Sequence, residues 1–142
     1  MSAADLTGGV VAYLKTSGVL HGLIAGRVFG GELPPKETAA MPRKALVVAA
    51  SGGVSLTGAS FIEADTGRID LFAFGETPLE AGRVMAEAAL AMRRLRRSIH
   101  AGVLLHWANP AGGAISGREP QTEWPRQFQS FQVMHSLVSP EE

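Results

Sequence analysis

The stretch Thr77-Pro78-Leu79-Glu80 constrains this chain more than any other. Threonine three residues before glutamate makes a reciprocal capping box, and proline suits the first helical position, where no backbone amide is needed. A helix is therefore predicted from here to about Arg96. Leu79, Gly82, Met85, Ala89 and Met92 form one row along it, and Val84, Ala88, Ala91 and Leu95 an adjacent one. A wide apolar stripe with small residues in it suits a helix lying flat on a sheet. Strands are predicted on either side. Arg68–Phe74 alternates, with Ile69, Leu71 and Ala73 on one face and Asp70, Phe72 and Phe74 on the other. Gly102–Trp107 supplies a second β-rich run.

The remaining segments are weaker. Leu6, Val10, Tyr13 and Leu14 share one stripe of a helix predicted over Ala3–Ser17, with Ser2 as its cap and Gly18 just past its end. Its internal Gly8-Gly9 pair costs about 1 kcal/mol per glycine relative to alanine. Val19–Ile24 reads as one helical turn before Gly26. Arg27–Met41, with Gly30-Gly31 and Pro34-Pro35, reads as loop or extended chain, because proline disfavours helix in the residue before it. Lys44–Ala50 is a buried strand, and Ser51–Gly67 a hairpin-like excursion with a mobile tip. Asn109–Pro125 is a Gly- and Pro-rich loop. Arg126–Val138 is a final strand, with Phe128, Ser130, Gln132 and Met134 opposite Phe131, Val133 and His135; residues 139–142 are a polar tail. The fold class expected is α+β: a mostly antiparallel sheet of about four strands with two main helices packed on one face, in a single domain over residues 1–142.

Composition adds a hint of assembly. The chain has 142 residues, 46% of them hydrophobic, enough for one domain with a core. Charged residues make up only 18%, against about 25% in soluble domains. A small domain has much surface to cover, so this deficit points to surface covered by another chain. Thirteen basic and 13 acidic residues balance, leaving no overall basic field toward nucleic acid or membrane. The absence of cysteine removes disulfides, thiolate chemistry and cysteine zinc sites, and fits a reducing compartment. No apolar run approaches the length of a membrane helix, and Met1–Asp5 lacks the features of a signal peptide. Synthesis in the cytoplasm is expected.

Motifs of catalysis fail when tested. His21, His100, His106 and His135 show no metal-ligand spacing, and only His106 and His135 fall on neighbouring predicted strands. Ser51–Gly58 is glycine-rich but lacks the ending of a phosphate loop and precedes a strand. The serines have no nucleophile-elbow context. Glu63 and Asp65, and Glu119 and Glu123, read as solvated loop charges. No catalytic, cofactor or metal site is assigned. Arg93, Arg94, Arg96 and Arg97 end the long helix, where cations oppose the macrodipole. Four arginines exceed that need, so contact with a nucleic-acid backbone or with a neighbour's carboxylates is the functional reading. Trp107 reads as core. Trp124, in the Pro/Gly loop, is a candidate anchor for the loop or for a partner.

Taken together, these segments resemble the tail terminator (tail completion, neck) proteins of long-tailed bacteriophages and related gene transfer agents. The resemblance rests on residues 26–29 (Gly-Arg-Val-Phe), Pro34-Pro35, residues 41–48, the strand and capped helix of residues 68–84, residues 106–113, Trp124-Pro125 and residues 128–133. It implies a ring, usually a hexamer, at the head-proximal end of a tail tube. Such a ring ends tube polymerisation and docks the head-completion or stopper protein, with viral DNA passing through its lumen. It implies a virion protein that is no enzyme and needs no cofactor. By analogy, Ser51, Gly52, Gly53, Ser55, Phe61 and Ile62 are candidates for contact with the tube. Trp124 and Arg118 are candidates for a connector or subunit contact, and the four arginines for lumen or subunit charge contacts. The competing readings are a small nucleic-acid-binding module built on those arginines and an enzyme centred on His106 and His135.

Overall fold

The computed structural model describes residues 3–139. Four helices accompany one seven-stranded sheet. In chain order these are α1 (Leu6–Leu14), α2 (Gly18–Ile24), β1 (Val28–Gly30), α3 (Pro35–Ala40), β2 (Ala45–Ala50), β3 (Ala64–Phe74), α4 (Pro78–Arg93), β4 (Ser98–His100), β5 (Val103–Pro110), β6 (Ile115–Arg118) and β7 (Pro125–Ser136). The sheet runs β1-β2-β3-β7-β5-β4, with β6 also paired to β7. β1 is parallel to β2, and the other pairings are antiparallel. The architecture is thus mixed α/β, with more strands than the four expected and a parallel edge that the sequence did not indicate.

The frame is the long β3–β7 ladder, paired from Ala64↔Ser136 to Phe74↔Arg126. Strand alternation sends Ile69, Leu71, Ala73, Phe131 and Val133 to the side occupied by the helices, where all are fully buried. α4 lies there as predicted from its capping box: the Thr77 hydroxyl accepts from the Glu80 amide at 3.2 Å, and Glu80 reaches back to the Glu76 amide at 2.9 Å. Val84, Met85, Ala88, Ala91 and Met92 form its buried stripe together with Ala81. Leu79, assigned to that stripe, is instead exposed, since it precedes the part of the helix that reaches the sheet. The helix ends at Arg93 rather than Arg96, although Leu95 still turns inward and is buried.

Several boundaries move for local reasons. Asp5 caps α1, accepting from the Gly8 amide at 3.1 Å; Ser2 lies outside the described residues, as do 140–142 of the tail. Gly18 opens α2 under a Ser17 cap and does not close α1. The Gly8-Gly9 pair leaves α1 intact. A Cβ at Gly9 would stand 2.9 Å from that of Val103, so glycine lets the helix lie close on β5. Pro34 and Pro35, read as loop markers, start α3, where a missing amide costs nothing. The short strands β1, β4 and β6 were missed because three or four residues show little periodicity. β3 begins at Ala64 inside the predicted excursion. Trp107 is half-buried and stands outside the core.

Candidate assembly interface

Two surface features stand out on the side of the sheet away from α4. The first is the β2–β3 connection. Backbone bonds from the Ser51 amide to the Arg68 carbonyl (2.9 Å) and from the Arg68 amide to the Gly52 carbonyl (2.8 Å) extend the hairpin past β2. Gly53 then turns at φ +98, a conformation L side chains rarely adopt, with the Arg68 amide 3.0 Å from where a Cβ would be. Beyond it, Asp65 ties the tip. Its carboxylate accepts from the Ser55 hydroxyl and from the amides of Leu56 (2.8 Å), Thr57 (3.1 Å) and Thr66 (2.8 Å). The Ser55 hydroxyl first, and then these amides, hold the carboxyl far below the usual carboxylate range. Asp65 is therefore an anchor and not the solvated charge the sequence suggested. Residues 54–62 contain no charged side chain, and Val54, Leu56, Phe61 and Ile62 all point into solvent, Phe61 fully. Ser51, Gly52, Gly53 and Ser55 thus shape the loop, whereas Phe61 and Ile62 are free to touch a partner.

The second feature is a groove of about 460 Å³ at the opposite end of β3. Its floor is Phe72 and Phe74, on the face of β3 that alternates away from the core, with Val47 of β2 beside Phe72. Phe72 packs on Phe128 across the ladder with ring centroids 5.2 Å apart, and the Arg126 guanidinium lies over the Phe72 ring at 5.2 Å. One wall is the β1–α3 connection with Glu32 and Leu33. The other is the β6–β7 turn with Glu119 and Trp124. Trp124 meets Phe74 edge-on at 6.1 Å. The turn is tightly knit: Glu119 accepts from the amides of Gln121 (3.0 Å) and Thr122 (2.5 Å) and from the Thr122 hydroxyl (2.6 Å). Those bonds, the Thr122 hydroxyl first, pull its carboxyl below the usual range, so Glu119 too is an anchor. Arg118 donates to the Glu123 carbonyl at 2.9 Å, closing the same turn.

The arginine cluster lies at the end of α4, far from the groove. Arg93, Arg94, Arg96 and Arg97 are all exposed, and among the described residues none has a carboxylate within 4.0 Å. They diverge. Burial raises the Tyr13 hydroxyl, and Arg96 and Arg94 oppose that rise, whereas Arg97 stands near His106. His106 and His135 do come close: Leu105 pairs with His135, and the register breaks at His106 in a bulge before Trp107. Burial first, then Arg97 and His135, lowers His106. Among the described residues no three His, Cys, Asp or Glu side chains gather as a metal site would require.

The fold itself has a counterpart among solved structures. Its backbone is similar to that of a chain in the virion of a native gene transfer agent particle. The TM-score is 0.66 at 15% identity, over 92% of this chain and 94% of that one. No family model and no curated protein matches the sequence.

Sequence reasoning named the loop and Trp124 but missed the groove as a unit. Its floor was legible as the second apolar row of β3, Phe72 and Phe74, opposite an already sufficient core row. That Glu32 and Trp124, 92 positions apart, form facing walls follows only from the β1-β2-β3-β7 strand order.

Proposed function

We propose that this protein is a structural component of a virion, acting in the neck as a tail terminator. In this reading several copies, six as in the resembled proteins, form a ring on the head-proximal end of a tail tube. The ring halts tube polymerisation, offers its other side to a head-completion or stopper protein, and leaves a lumen for DNA. The ring is assembled in the host cytoplasm and carries no reaction or cofactor. The likeness in fold to a gene transfer agent virion chain supports this. The observation that carries it is the loop of residues 54–62: held in shape by Asp65, free of charge, and presenting Phe61 and Ile62 outward. An exposed apolar cluster on an anchored loop is a surface made for a protein partner. The tail tube is assigned as that partner.

Negative-stain imaging of purified protein, alone and mixed with tail tubes, tests the reading. Discrete rings and blunt, capped tubes are expected. A protein that stays monomeric at every concentration and leaves tubes growing rules it out.

The four exposed arginines, which have no carboxylate within 4.0 Å among the described residues, favour one second reading, a nucleic-acid-binding module. It requires duplex binding that weakens steeply with salt and disappears when Arg93, Arg94, Arg96 and Arg97 become alanine.

A further inference from the structure

The ring reading leaves open which surfaces of neighbouring copies meet, and the inference here rests on that reading. We infer that the subunits associate head to tail, the Arg93–Ile99 end of one copy docking on the Phe72–Trp124 groove of the next.

Three observations support it. First, the two surfaces are opposite in charge. The basic end carries four exposed arginines without carboxylate partners among the described residues. The groove has Glu32 and Glu119 on its walls, and exposed Glu76 and Glu123 lie close by, since the Gly75 amide bonds the Pro125 carbonyl between them. Arg126 also lines the groove and Arg118 lies in its wall turn, but Arg126 is folded over Phe72 and Arg118 is tied to the Glu123 backbone. Second, each surface has an apolar centre. The groove is floored by Phe72 and Phe74, and the basic end offers Ile99, half-exposed on β4. β4 is an edge strand whose outer side is unpaired among the described residues. Third, the surfaces cannot satisfy each other within one chain. α4 has 16 residues and spans about 24 Å. The groove lies at its start and the arginines at its end, so only another copy can bring the two together.

A contact between two different surfaces, repeated by a rotation that closes on itself, makes a ring. Exposed ion pairs add little affinity each, so Ile99 in the aromatic groove supplies adhesion, and the charges set register and partner choice. The loop of residues 54–62 takes no part in this interface and stays available to the tube.

The test uses two reversal variants of the full chain, one with Arg93, Arg94, Arg96 and Arg97 changed to Glu, the other with Glu32, Glu76 and Glu123 changed to Lys. All seven side chains are exposed, and Glu119 is left alone because it anchors its turn. Circular dichroism and thermal melting verify that each variant folds. Sedimentation of the wild type at low salt should give rings. Each variant alone should associate at least roughly tenfold more weakly, and an equimolar mixture should regain rings, because every reversed surface then meets a reversed partner. Wild-type rings that both variants retain, or a mixture that stays dissociated, overturns the interface and leaves the ring reading standing. A wild type that never assembles overturns both. A labelled DNA duplex completes the design: if the arginine variant loses duplex binding yet keeps its rings, the arginines face nucleic acid and the inference fails.

Discussion

On the covered side of β3 and β7, Ile69, Leu71, Phe131 and Val133 are fully buried beneath α4, whereas on the open side Phe72 and Phe128 remain partly exposed beside a groove. The strands are the same, and the phenylalanines of the open face are as apolar as the residues of the covered one. The difference lies in what covers them. The covered face is completed by this chain's own helices. The open face is apolar enough to need a cover and, at its groove, lacks one. The middle of that face is polar. Arg68 donates to the Ser130 hydroxyl at 3.0 Å, and Ser130 in turn donates to Asp70 at 2.5 Å, so burial there is satisfied without packing. Stability is thus concentrated on one side of the sheet, and the groove proposed for assembly lies on the other.

Substitutions on the covered face should have the largest effects. Leu95→Asp places an unpaired charge against the core and should cost about 4 kcal/mol or more. Phe131→Ala should cost about 3–5 kcal/mol, and Phe72→Ala, on the half-open side of the same ladder, no more than about 1–2. Urea denaturation measures all three, and equal losses for Phe131→Ala and Phe72→Ala would erase the distinction between faces.

At the margin of the groove, α3 is held by Glu37, which receives Arg43 through two bonds of 2.8 Å. The hydrogen bond from Arg43 is the main reason the Glu37 carboxyl sits below its ordinary value, burial opposing it and the charges of Arg43 and Arg27 reinforcing it. A carboxyl depressed in the folded state stabilises fully above its unfolded value, near about pH 4.3, and that contribution fades as pH falls below it. Glu37→Gln should therefore lower stability by about 1–2 kcal/mol at neutral pH, and the gap from wild type should close in acid. Melting temperatures from about pH 6 to about pH 3 check the sign.

The loop sharpens the comparison through pH alone. Because Asp65 is held far below the carboxylate range, amide signals of Leu56 and Thr57 should keep their neutral-pH positions while ordinary carboxylates titrate, and move only in stronger acid. Asp65→Asn should bring that change to neutral pH. An NMR titration in which these signals follow the bulk carboxylates would show that the knot does not form.

The smallest effect on stability belongs to the residue with the largest assigned role. Phe61 is fully exposed, so Phe61→Ser should leave the unfolding free energy within about 0.5 kcal/mol while abolishing tube capping. A substantial loss of stability would mean the side chain packs on its own chain.

Much of the fold was legible where a pattern repeats over many residues. The alternation of Arg68–Phe74 and the apolar stripe that follows the capping box gave the central strand and the long helix, because each repeats one geometric rule over two or more turns or pleats. Leu79 shows the limit: periodicity puts it on the stripe, but only the point where helix meets sheet decides whether it is covered. Asp65 and Glu119 show another. A carboxylate in a glycine-rich loop looks solvated until the backbone amides that converge on it are known, and those come from chain folding back over several residues.

The sequence by itself determined the local units: which stretches alternate, where α4 starts, that the chain is neutral and cysteine-free, and that the loop of residues 54–62 is uncharged. Tertiary structure decided which of those units face one another. The groove joins Glu32, Phe72 and Trp124 from three distant segments, and the separation of the arginines from the acidic rim follows from α4 running back along β3. Short-range periodicity encodes what each segment prefers, but contact between distant segments depends on strand order and register, which single strands do not carry.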